Sequence, residues 1–87
     1  MEQTQHDIRL DVRELAPRDR HATIFETFHA LRPDQAMELV NDHDPKPLYD
    51  QLSTEHPGEF SWAYRQEGPE VWEVEIRRTG AGDKGRT

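Results

Sequence analysis

The chain has 87 residues, with 18 Asp plus Glu against 11 Lys plus Arg for a formal net charge of −7, and it contains no Cys. That length holds one domain with one small core, and without Cys there is no disulfide framework, no thiolate metal site and no sulfur nucleophile. The acidic balance argues against a nucleic-acid partner, which calls for a basic face, and no apolar run approaches the ~20 residues of a membrane helix.

Met1 to Asp7 is polar and lacks the apolar segment of a secretory signal, so a soluble cytoplasmic domain with no membrane partner is expected. Ile8, Leu10 and Val12 then alternate with Arg9, Asp11 and Arg13, the period of a strand with one buried face. Pro17 opens a helix, where its missing N–H costs nothing. Ile24, Phe25, Phe28 and Leu31 form its apolar stripe, with Arg20, Glu26 and Thr27 expected to face away, and Pro33 ends it. Residues Ala36 to Asn41 read as a second strand, with Met37 and Leu39 on one face and Glu38 and Val40 on the other.

The run Asp42-His43-Asp44-Pro45-Lys46-Pro47 is a stiff turn into a second helix. Asp44 is the expected N-cap and Pro45 the first helical residue. Leu48, Tyr49 and Leu52 form the inner face, and Pro57-Gly58 stops the helix. Phe60, Trp62 and Tyr64, then Trp72, Val74 and Ile76, alternate with polar residues on either side of the turn Glu67-Gly68-Pro69-Glu70, which predicts a hairpin. Both Trp are expected to be core, because a domain this small must bury its large side chains.

The order β-α-β-α-β-β, with one apolar face per element, predicts an α+β fold: a two-layer sandwich of a four-stranded mixed sheet with two helices on one face. The first two strands should be parallel and the terminal pair antiparallel. Arg9, Asp11, Arg13, Glu38, Arg65, Glu73, Glu75 and Arg77 should form an ion-pair mosaic on the open sheet face. The domain is expected over residues 8–78, with a flexible start at 1–7 and a disordered tail at 79–87.

Leu10-Asp11-Val12-Arg13-Glu14-Leu15-Ala16-Pro17 resembles the signature of the TusA/SirA-like sulfur carriers, which share this element order. In that family a persulfide-bearing Cys precedes the helix-opening Pro. Here the position is Ala16, so sulfur relay is ruled out. Arg20-His21, Ile24-Phe25, Val40-Asn41-Asp42-His43-Asp44-Pro45-Lys46-Pro47-Leu48, Phe60-Ser61-Trp62 and Glu67-Gly68-Pro69-Glu70-Val71-Trp72 are similar to the DUF2249 family over almost the whole chain. Its members occur alone or fused to hemerythrin-like domains, which implies a link to iron, oxygen or nitrogen-oxide handling by association only.

Parallel first and second strands bring both helix starts to one sheet edge, where α/β proteins tend to bind ligands. Arg18, Arg20, His21, Asp42, His43, Asp44 and Lys46 gather there as candidate ligand-binding residues. Three readings compete. The loops are purely structural, with Asp44 as cap. Alternatively His21, His43 and Asp42 hold a transition metal such as Fe, Zn or Cu. Or the helix starts, with Lys46, Arg18 or Arg20, receive an anion or other small ligand. His6, His29 and His56 are not expected to be ligands.

No Gly-rich phosphate loop, nucleophile elbow or base-paired Ser is present, so catalysis is not expected. The expectation is a non-catalytic ligand-binding or accessory domain taking a small ligand or a protein partner. The alternatives are a metal-binding redox or sensor protein, and an interaction module that docks through the charged sheet face.

Overall fold

A computed structural model describes residues 8–79, in the order β1 (Ile8–Asp11), α1 (Pro17–Ala30), β2 (Ala36–Asn41), α2 (Lys46–Glu55), β3 (Phe60–Glu67) and β4 (Trp72–Arg78). The strands form one mixed sheet in the spatial order β1-β2-β4-β3, so β2 and β4 are central and β1 and β3 are edges. β1 pairs parallel with β2, while β4 runs antiparallel to both β2 and β3. The expected flexible start lies outside the described residues, as does the expected tail except for Thr79, whose N–H donates to Glu59 O at 3.0 Å.

The period-two pattern of the strands converts directly into layers. Met37 and Leu39 of β2 stand opposite Ile76 and Val74 of β4, and all four are fully buried against Ile24 and Phe28 of α1 and Leu48 and Leu52 of α2. Both helices therefore cover the same sheet face, and Val12 and Leu31 belong to the same buried cluster. On the other face Arg9 bridges Glu38 (3.4 Å) and Glu73 (3.8 Å), while Glu75 takes Arg65 (2.7 Å) and Arg77 (2.9 Å). Exposed pairs of this kind add little each, and here they keep an open sheet face wet. No helix among the described residues is long and apolar enough to cross a membrane.

Four expectations need correction. Arg20 does not face away: it is 8% exposed, because it sits four residues before Ile24 and so shares the inner stripe of α1. Asp44 does not cap α2. The helix starts at Lys46 with Pro45 at its N-cap, and the Asp44 carboxylate instead accepts from the Tyr64 hydroxyl at 2.7 Å. Tyr49 is not an inner residue: it is 38% exposed and packs edge-on to Trp62 and Phe60. Trp62 and Trp72 are half-buried: Trp62 lies on the edge strand β3, which supplies Phe60, Trp62 and Tyr64 to the margin of the core, and Trp72 is the first residue of β4, beside the hairpin turn.

The hairpin turn adds a local constraint. Gly68 has φ of +73°, and a Cβ there would sit 2.9 Å from the Trp72 ring. Backbone strain and overlap act together, so Gly68→Ala should destabilise the domain by about 1–3 kcal/mol. Chemical denaturation should show a lower midpoint at unchanged slope.

Candidate functional site

Because β1 and β2 are parallel, the loops leading from them into α1 and α2 lie at one edge of the sheet. One side chain ties them together. Arg20 Nε donates to Leu15 O at 3.1 Å, and Nη2 donates to Arg13 O at 3.2 Å, both in the first loop. Across the gap, Nη1 donates to Asn41 Oδ1 and Asp42 Oδ1 at 2.9 Å each, and Nη2 reaches Asp42 Oδ2 at 3.3 Å. These contacts engage all five N–H groups of the guanidinium, a use that its planar fork suits and an ammonium could not match. Of the sequence-predicted ligand residues, Arg20 is thus occupied in holding the floor of the site.

Asp42 answers both sides. Hydrogen bonds from Arg20 first and His43 second hold its carboxyl at about 2, against an ordinary 3.8. Asp11 is held at about 2 as well, by the Arg13 side chain and backbone N–H. Both folded values lie below the unfolded ones, so the stability these groups add is fully present above 3.8 and is lost as pH falls towards 2. Wild type should therefore lose more of its melting temperature across that window than Asp42→Asn, which retains only the Asp11 part. Circular dichroism melts at stepped pH measure the difference.

The two histidines at this edge are oriented by fixed acceptors. His43 Nδ1 lies 2.8 Å from Asp42 Oδ1, and an ionised carboxylate only accepts, so neutral His43 carries its proton on Nδ1. His21 Nδ1 lies 3.2 Å from Gln51 Oε1. The Gln51 amide is turned that way because its Nε2 donates to Glu55 Oε2 at 3.2 Å. In both rings Nε2 is the atom left with a lone pair. His21 and His43 line one narrow cleft of about 90 Å³, together with Pro17, Arg20, Asn41, Pro45 and Pro47.

Asn41 is 4% exposed, and its Oδ1 accepts both from Arg20 and from the Asp42 N–H at 2.8 Å. Its Nδ2 has no acceptor among the described residues. The helix starts themselves are short of donors. Pro17 and Pro47 lack N–H groups, the Asp19 N–H is taken by Ala16 O, and those of Leu48 and Tyr49 are taken by Pro45 O.

The remaining predicted residues stand outside the cleft. Arg18 is exposed, Lys46 pairs with Asp50 at 3.3 Å on the surface of α2, and Asp44 is spent on Tyr64. Burial and the Asp44 carboxylate push the Tyr64 hydroxyl pKa up, so it stays protonated as donor. Among the described residues no group of three or more His, Cys, Asp or Glu side chains is gathered to hold a metal ion.

His29 and His56, which the sequence did not mark as ligands, have their Nε2 atoms 3.0 Å apart at the other end of the helix layer. They are 27 residues apart in the chain, and no short-range spacing announces the pair. His6 lies outside the described residues. The half-exposed aromatic row on β3 was missed for a different reason. Alternation marks which face a side chain takes, and not whether its strand is an edge.

Among known proteins, the model of the family described as "Uncharacterized conserved protein (DUF2249)" matches residues 9–78. No curated protein and no solved structure matches the chain.

Proposed function

The chain belongs to the DUF2249 family, and we propose that it is a non-catalytic ligand-binding or accessory domain whose site is the cleft between the starts of α1 and α2. One observation carries this reading: two imidazoles with their Nδ1 atoms held by acceptors line the same narrow cleft as a buried carboxamide. Such an arrangement offers lone pairs at His21 and His43 Nε2 and an N–H donor at Asn41. The shared Arg20 anchor holds the two loops in place beforehand, which lowers the ordering cost of binding.

The cleft suits a ligand of a few non-hydrogen atoms. The prolines at both helix starts leave too few free amides for a full phosphate cradle. A small polar molecule or small anion fits the donor set better. A link to iron, oxygen or nitrogen-oxide handling belongs to the same reading, as does a TusA/SirA-like ancestry with Ala16 in place of the sulfur-bearing Cys.

The second reading, a metal held through His21 and His43, is favoured by the carboxylate behind His43. A carboxylate in that position fixes the tautomer of metal-ligating histidines. Asp42 then orients His43 and does not ligate, since both of its oxygens are engaged by Arg20.

An ¹⁵N NMR titration with nitrite, phosphate and ZnCl₂ in parallel tests the reading. Saturable shifts of His21, His43 and Asn41 with nitrite or phosphate, lost in His21→Gln/His43→Gln, support the ligand site. The same shifts with ZnCl₂ alone favour the metal reading. Silence of all three residues on a folded protein overturns both and directs attention to docking through the charged sheet face.

A further inference from the structure

The C-terminal ends of α1 and α2 meet at the end of the helix layer away from the cleft. His29 is in the last turn of α1 and His56 is the C-cap residue of α2. Their Nε2 atoms lie 3.0 Å apart, with ring centroids at 5.1 Å and planes at 67°. Behind His56, Nδ1 lies 3.2 Å from Glu59 Oε1, and the His56 side chain is only 18% exposed against the Phe28 ring. His29 is exposed.

We propose that His29 and His56 form a two-nitrogen site for a divalent late-transition cation of tetragonal preference, Cu(II) before Zn(II). The proton positions set this up. Glu59 can only accept, so neutral His56 keeps its proton on Nδ1 and turns an Nε2 lone pair towards His29. Without a metal, His29 Nε2–H donates into that lone pair. A cation replaces this shared proton: the His29 proton moves to its own Nδ1, both Nε2 lone pairs bind the ion, and water completes the coordination.

The spacing selects the metal. Once both rings turn so that their lone pairs meet at the ion, nitrogens kept at that 3.0 Å separation subtend about 95° with metal–nitrogen bonds of about 2.0–2.1 Å. That is near the right angle of tetragonal Cu(II) and narrower than tetrahedral Zn(II) prefers, and the general affinity order also places Cu(II) above Zn(II). Glu59 behind His56 is the usual carboxylate partner of a ligating imidazole.

The surroundings act in both directions. Arg78 stands nearby, its Nη1 donating to the carbonyls of Phe28 (3.4 Å), His29 (2.9 Å) and Leu31 (3.1 Å), and its charge opposes a cation. Glu59 and the chain's net charge of −7 favour one.

The inference is independent of the proposed cleft, and the experiment keeps the two apart. The full chain is titrated with CuCl₂ in a non-coordinating buffer, followed by calorimetry and electron paramagnetic resonance. Wild type and His21→Gln/His43→Gln should both bind one equivalent with hyperfine splitting from two imidazole nitrogens. His29→Gln and His56→Gln, each made in the His21→Gln/His43→Gln background, should lose that two-nitrogen signal. Glu59→Gln should weaken binding on the order of tenfold. ZnCl₂ should compete only in excess.

If wild type takes up no copper, or if His29→Gln in the His21→Gln/His43→Gln background retains the two-nitrogen signal, the contact is a hydrogen bond and the proposal fails. Should His56→Gln fail to fold, the exposed His29→Gln decides the matter alone.

Discussion

Replacing Phe28 with Ala is expected to cost the domain about 3–5 kcal/mol of stability. Phe28 is the largest fully buried side chain, set edge-on to Phe60 at 6.3 Å and beside the His56 ring at 5.3 Å. Truncating a buried Phe costs about 3–5 kcal/mol, from lost transfer energy and from the cavity left behind. A chain of this length has a total stability of roughly 4–13 kcal/mol, so the loss takes from about a quarter to all of it. Chemical denaturation followed by near-ultraviolet circular dichroism should show that loss as a much lower midpoint in Phe28→Ala. Phe28→Leu refills most of the volume and should stay folded with its stability lowered by about 1–1.5 kcal/mol. A loss well below about 3 kcal/mol would mean that the layer around Phe28 can close over the gap.

The second large effect is expected at Arg20. Arg20→Ala removes five hydrogen bonds at once: the Leu15 and Arg13 carbonyls lose this donor, Asn41 Oδ1 keeps only the Asp42 N–H, and the Asp42 carboxylate keeps only His43. Breaking a buried charged network by removing one partner commonly costs 3–5 kcal/mol. Asp42 has a side chain 46% exposed and can rehydrate, so about 2–4 kcal/mol is expected here. Arg20→Lys should recover less than half, because an ammonium cannot span both loops. The diagnostic readout is local. Amide resonances of residues 13–15 and 41–43 should shift or broaden while those of β3 and β4 hold still. A uniform change across the sheet would instead identify Arg20 as ordinary core packing.

These two residues also show how far reading along the chain reaches. Phe28 was visible as core from its place in the stripe Ile24, Phe25, Phe28 and Leu31, a pattern that depends only on helical period. Arg20 lies on the same stripe, yet a charged residue invites assignment to the surface. Its burial is explained only by the two loop carbonyls and the two β2-end side chains it meets there. Asp44 before Pro45 carried the signature of a helix cap, and a tertiary partner, the Tyr64 hydroxyl, drew the carboxylate away. The candidate cleft was legible in outline, since parallel strands force both helix starts to one edge. The orientation of its histidines was not, because it depends on Gln51 and Asp42 lying within reach.

Residue order alone determined the six elements, their boundaries to within a residue or two, and which side of each strand is apolar. Those signals are local: a period of two or of 3.6, a proline, a glycine with an obligatory turn. Tertiary structure decided that β4 inserts between β2 and β3, that β3 becomes an edge with its aromatics half-exposed, and that Arg20 meets Asp42, Tyr64 meets Asp44 and His29 meets His56. Each of those pairs is separated by 20 residues or more. At such separations the meeting of two side chains is set by how whole layers pack, and no spacing along the chain encodes it.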